Sequence, residues 1–364
     1  MARLAMLSNG QLMVGLNEHG LIHDFYYPFV GLDNLTTSRS VHHKIGVWVD
    51  GTFSWVDDGT WNISVNLEND ALMSNTTMES QNLGITLNTL DFVDPHHNGF
   101  IRRINVSNKW DIKRDVRIFL HQVFEISRGG RGDTALFVPD ENYILDYKGR
   151  CSILAYGAAK SSGQMFDQYC IGNYGIEGKE GTYKDAEDGE LAGNAVEHGG
   201  VDSVARFAFM LEPHDSELID YWLIAAASQY QCEAVHHDYK KRGIDAVEQS
   251  ARKWWHNWLA TGANKLHTLS PDLVNEVKKS LMVIKAHCDK RGGILASGDS
   301  SIFNYGRDYY CYCWPRDGAY AIWPLIRLGY SDEPKKFFEF CRDTLSRDGY
   351  LMHKYQPDRA IGST

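Results

Sequence analysis

Near residue 243 the hydrophobic period of this 364-residue chain changes from two to about 3.6, and that switch restricts the fold more than any other feature of it. Up to about residue 240 the chain reads as strands. Lys44 to Val49 and Thr52 to Val56 flank Asp50-Gly51, a dipeptide that supplies the positive φ of a type I′ turn, so the two runs predict a hairpin. Val116, Ile118 and Leu120 alternate, as do Ile85 and Leu87. Glycine-rich connections such as 129–133 and 172–181 separate these runs at irregular intervals, which predicts an antiparallel sandwich without a short repeat.

Beyond the switch, Ala246 to Leu259 reads as a helix with Trp254, Trp255 and Trp258 at helical spacing, a surface for packing between two domains. Ser270-Pro271-Asp272 is an N-cap with Pro in the first turn, followed by a stripe of Leu273, Val274, Val277, Leu281 and Ile284. Two further helices run from Trp314 or Pro315 to Leu328, closed by Gly329, and from Pro334 to Leu345, closed near Gly349. Pro324 should kink the first of these two. The expected division is therefore a β domain over 1–242, a helical linker over 243–268 and a helical region over 269–364.

Composition removes several classes of function. Formal charge is 37 − 47 = −10 and no Lys/Arg cluster stands out, so a nucleic-acid partner is not expected. No apolar run reaches eighteen residues, and Ser8, Asn9, Gly10 and Gln11 interrupt the opening segment, so neither a membrane span nor a signal peptide is expected. Seven cysteines, an odd number without CxxC spacing, predict reduced thiols and a cytoplasmic protein. Cys311 and Cys313 lack further ligands at zinc-like spacing and read as small buried hydrophobes, so no metal is expected. His42-His43 and His96-His97 would each point to opposite faces of a strand, a poor geometry for chelation, and read as surface or turn residues. Gly172, Gly175 and Gly178 do not make a dinucleotide fingerprint, and no organic cofactor is expected.

The segment from Arg307 to Asp317 carries the chemistry. If Tyr310 to Trp314 are extended, Tyr310, Tyr312 and Trp314 share one face while Cys311 and Cys313 share the other. Pro315 suits the first position of a helix, which places Arg316 and Asp317 in its first turn beside the aromatic face. A pyranose offers an apolar C–H face for stacking and a rim of hydroxyls that a guanidinium fork and a carboxylate can read together. On these residues alone a core strand followed by ordinary helix capping explains the pattern as well, and is the reading they favour.

Resemblance shifts that balance. Tyr309 to Asp317, with Ala296-Ser297-Gly298-Asp299 before it and Gly349 to Tyr355 after it, resembles glycoside hydrolase family 15, the prokaryotic glucoamylases, trehalases and glucodextranase-like proteins. Asp24-Phe25-Tyr26-Tyr27-Pro28, followed by Val30-Gly31 and Asn34, is similar to the opening of their β domain. The resemblance implies an N-terminal antiparallel β super-sandwich followed by the first helices of an (α/α)6 barrel. It also implies that Arg316 and Asp317 bind the non-reducing glucose, that Tyr310 and Trp314 line the same pocket, and that Lys354 and Tyr355 lie on a further pocket loop.

The chain departs from that family in one respect. Inverting hydrolysis needs a general acid and a general base, two carboxylates roughly 6.5–9.5 Å apart. In the family both lie downstream of the matched region, so they are expected beyond Thr364. Glu333 and Glu339 sit on what reads as an ordinary amphipathic helix and are not nominated. Three helices cannot close a twelve-helix barrel, which implies a truncated barrel with apolar helix faces uncovered, and so further chain or a second polypeptide that completes it. The expected function is release of glucose from the non-reducing ends of α-glucans, with α-glucan or α-glucoside as substrate. A trehalase is the alternative within the family, and a carbohydrate-binding or assembly protein without catalysis is the alternative outside it.

Overall fold

The computed structural model describes residues 3–36, 43–128, 132–300 and 310–362. Eighteen strands among them form three antiparallel sheets of four, nine and five strands. The four-stranded sheet is a meander of Ala5–Ser8, Met13–Leu16, Ile22–Phe29 and Leu32–Asn34. One apolar cluster draws on all three sheets: Leu7 and Val14 from the first, Leu87, Ile104 and Ile153 from the second, Val47 and Ile118 from the third.

The hairpin at Asp50-Gly51 forms as its sequence predicts. Strands Ile45–Val49 and Thr52–Trp55 pair with Val49 opposite Thr52, and both turn residues have positive φ, 47° and 95°. Next to it, Arg114–Val123 buries Val116, Ile118 and Leu120 in the main core. Phe119, on the opposite face, is buried as well, in a second cluster with Trp55, Cys170 and Val204.

Two sequence expectations need correction. The last fourteen residues of the span read as strands form a helix, α1 (Gln229–Arg242), whose N-cap Ser228 accepts a hydrogen bond from the Gln231 amide. Its buried stripe is Cys232, His236 and Tyr239, at helical spacing but without an aliphatic residue, so hydrophobic periodicity did not reveal it. His43, expected at the surface, is buried with its ring 4.7 Å from Phe124; His42 lies outside the described residues. His96 is in an exposed bend.

Helix α2 (Ile244–Ala263) lays Val247, Ala251, Trp255 and Leu259 into the sheet core. Trp258 touches that core and also the cluster of Leu281, Leu325 and Tyr330, and thereby joins the sheets to helices α3 (Pro271–Ala286) and α4 (Pro315–Leu328). Pro271 and Pro315 each stand in the first turn, as their missing N–H favours. Helix α4 runs on through Pro324 and ends at Gly329 with φ 95°. Helix α5 (Asp332–Thr344) packs on it with the Phe337 ring over Gly318. None of the described helices is long and apolar enough to cross a membrane, and all seven cysteines are free thiols.

Candidate functional site

The segment Tyr310–Trp314 carries the alternation expected of it. Cys311 and Cys313 are buried, whereas Tyr310 is 43% exposed and Tyr312 and Trp314 are half-buried. The segment bends at Tyr310 and Tyr312 and is held from both sides by backbone hydrogen bonds. The Ala296 amide donates to Tyr312 O at 3.1 Å and the Ser297 amide to Tyr310 O at 3.2 Å. On the other edge Cys313 and Tyr355 exchange two bonds, at 2.8 and 2.9 Å. Period-two geometry then points three aromatics outward. Tyr310 and Trp314 have ring centroids 6.1 Å apart, and Tyr312 stands edge-on to Trp314 at 5.8 Å.

Trp314 is the N-cap of α4, and its extended backbone turns the chain into the helix at Pro315. Arg316 and Asp317 therefore follow the platform within one turn. Their side chains are 80% and 49% exposed and lie 3.8 Å from each other. An exposed pair at this distance contributes little to stability, so its hydrogen-bonding groups remain available to a ligand at small cost. Arg307, Asp308 and Tyr309 lie outside the described residues.

Lys354 and Tyr355 separate. The Lys354 ammonium lies over the Tyr312 ring at 4.3 Å, on the platform side. Tyr355, its neighbour on an extended segment, points the opposite way into a small core with Cys313 and Phe340. Its hydroxyl donates to Thr344 O at 3.0 Å and accepts from the Met352 amide at 2.7 Å. Tyr355 thus contributes its backbone to the site while its side chain supports the layer beneath. Gly362 is a neighbour that the sequence did not signal: a Cβ there would meet the Tyr312 ring at 3.0 Å, so the last described residues cover one side of that ring.

The thiol layer beneath the platform is chemically quiet. Burial pushes the Cys313 thiol well above the ordinary range and Cys288 up to about 12, which keeps both protonated and poorly nucleophilic. Among the described residues no group of three or more His, Cys, Asp or Glu is placed to hold a metal ion. Glu333 is buried and engaged, with Lys285 at 2.7 Å and the Trp258 indole N–H at 3.1 Å. Burial raises its carboxyl, but the Lys285 charge and these hydrogen bonds outweigh that and hold it below the usual carboxylate range. This buried, ion-paired carboxylate links α5 to α3 and α2.

No family model matches the chain. It is similar to an uncharacterized glycosyl hydrolase of Methanocaldococcus jannaschii, 24% identical over 358 residues, which are 96% of this chain and 54% of that protein. Among solved structures it is similar to a bacterial glucoamylase complexed with acarbose, with a TM-score of 0.78 at 13% identity, over all of this chain and 53% of that one. It is also similar to the "Putative kojibiose phosphorylase from human microbiome", with a TM-score of 0.60 at 11% identity, over 98% of this chain and 50% of that one. The fold is thus of the glycoside-hydrolase kind shared by glucoamylase-like proteins, with a β-sandwich-rich N-terminal region followed by helices. The chain spans about half the length of the relatives it matches.

Proposed function

We propose that the chain carries the β-rich half and part of the glucose subsite of a glucoamylase-like inverting glycoside hydrolase acting on the non-reducing ends of α-glucans. The observation that carries this is the outward-facing Tyr310, Tyr312 and Trp314 beside the exposed Arg316 and Asp317. Trp314 and Tyr310 would stack on the apolar face of a terminal glucose, Asp317 would accept from its hydroxyls, and Arg316 would donate to its ring or hydroxyl oxygens. Lys354, over the Tyr312 ring, would hold that ring in place beside the sugar. The reaction itself then asks for a carboxylic acid to protonate the leaving glycosidic oxygen and a carboxylate to deprotonate a water attacking the anomeric carbon from the opposite face. Those two groups would come from helical polypeptide packed against the exposed side of α4 and α5, continuous with this chain or separate from it.

Titration of the 364-residue chain with maltotriose and with trehalose, followed by tryptophan fluorescence, tests the site. Asp317→Ala should abolish binding, and Trp314→Ala should weaken it roughly tenfold, the scale of one aromatic contact. Unchanged affinity in Asp317→Ala would overturn the assignment. The likeness in fold to the phosphorylase adds a second reading, transfer of the glycosyl group to phosphate. In a protein that includes that helical polypeptide, glucose released in phosphate-free buffer marks hydrolysis, a sugar phosphate formed only with added phosphate marks the second reading, and binding without either product marks a carbohydrate-binding module.

A further inference from the structure

Two segments about 270 residues apart in the chain meet behind the aromatic platform. Tyr26, fully buried on strand Ile22–Phe29, donates its hydroxyl to Gly298 O at 2.9 Å and lies 3.4 Å from the Cys311 sulfur. Two residues earlier, Asp24 is fully buried and accepts from Arg3 Nε at 2.6 Å, Asn34 Nδ2 at 2.9 Å and the Ser300 amide at 3.4 Å. Arg3 in turn reaches the same turn twice, its backbone amide donating to Asp299 Oδ2 at 3.0 Å and its guanidinium to Ser300 Oγ at 2.9 Å. The turn 297–300 is therefore held by one hydroxyl from strand Ile22–Phe29 and by one buried ion pair between that strand and Arg3, which precedes the first strand.

That turn is also what holds the platform. The Ser297 amide, next to the 296 amide, donates to the platform backbone, and Ser297 O accepts from the Cys311 thiol at 3.4 Å. Met13, Tyr26, Val30, Leu295 and Cys311 form one apolar cluster between the two layers. A chain of fixed contacts thus runs from strand Ile22–Phe29 through the turn to the residues whose outward neighbours are Tyr310 and Tyr312. We infer that Tyr26 and the Arg3–Asp24 pair are positioning residues: they lock the turn 297–300 and, through it, the outward orientation of the aromatic segment that binds sugar. The last clause rests on the function proposed above; the lock itself does not.

Tyr26→Phe is the clean test, because it keeps the ring in the apolar cluster and removes only the hydroxyl. Hydrogen exchange read by mass spectrometry on the full 364-residue chain should show the 296 and 297 amides exchanging roughly fivefold faster, the factor carried by one net hydrogen bond. Amides of strand Arg114–Val123, remote from the turn, should keep their rates. Maltotriose affinity should fall by about the same factor, since platform order and binding are linked. Asp24→Asn, which removes the carboxylate 2.6 Å from the buried Arg3 guanidinium, should give a larger effect at the same two amides; if it does not fold, Tyr26→Phe carries the test alone. Unchanged exchange at 296 and 297 in Tyr26→Phe overturns the inference, whatever happens to sugar affinity. Faster exchange there in a protein that binds no maltotriose even as wild type upholds the lock and removes the sugar reading.

Discussion

Glu333 shows how one side chain can look ordinary in sequence and be decisive in the fold. Its carboxylate ties α5 to Lys285 of α3 and to Trp258 of α2, so three helices meet at one charge. Because its folded pKa lies below the unfolded one, the pair stabilises the fold above about pH 4.5, and this is lost as pH falls through the folded value. Glu333→Gln removes the charge and leaves the largely buried Lys285 ammonium without it, which should cost about 2 kcal/mol in urea unfolding at pH 7. A cost near zero would show that solvent compensates Lys285. Tyr355 makes the complementary point: beside Lys354 in sequence, it was a candidate sugar contact, yet alternation along the extended segment sends the two side chains to opposite sides.

Helix α1 is held to the nine-stranded sheet by a stripe that includes a titratable group. His236 is buried, with Nδ1 accepting from the Trp222 indole N–H at 3.2 Å. Burial first, then the positive charges of Lys240 and His237, lower it from 6.5 to about 4. Between those values the unfolded chain binds a proton that the folded chain refuses, so stability falls as pH drops from about 6.5 to about 4, by up to roughly 3 kcal/mol in total. His236→Gln should flatten that part of the pH–stability curve; an unchanged slope would place the acid sensitivity elsewhere. The α4–α5 contact has a steric test. A Cβ on Gly318 would stand 2.4 Å from the Phe337 ring, so Gly318→Ala should cost roughly 1–3 kcal/mol and lower the thermal midpoint despite the better helix propensity of alanine. A raised midpoint would mean that the two helices part easily.

For the molecule as a whole, the uneven distribution of apolar surface stands out. The sheets are closed around their core, whereas α4 exposes Tyr320, Trp323 and Ile326 at 68, 57 and 48%, and α5 exposes Phe338 at 58%. Apolar side chains recurring along one side of a helix normally face a partner. Under the proposed function this is the surface on which further helices of a barrel would pack. The 364-residue chain should accordingly bind a hydrophobic dye in its native state, and Trp323→Lys with Phe338→Lys should remove most of that fluorescence without lowering the urea midpoint. Dye binding that survives the double substitution would locate the apolar surface elsewhere.

Local signals were the legible ones. Asp50-Gly51, Ser270-Pro271 and Trp314-Pro315 act through the backbone freedom of neighbouring residues, so each could be read in place and each formed the element expected. The alternation of Tyr310, Tyr312 and Trp314 against Cys311 and Cys313 belongs to the same kind, because extended geometry alone dictates it. What tertiary structure decided was which face of each element found a partner. Helix α1 took a stripe of Cys232, His236 and Tyr239, Tyr355 turned inward because Cys313 pairs with it across 42 positions, and Asp24 and Tyr26 came to brace the 297–300 turn. Those outcomes depend on burial and on hydrogen-bond partners supplied by distant segments, and one sequence carries no local trace of a partner far along the chain.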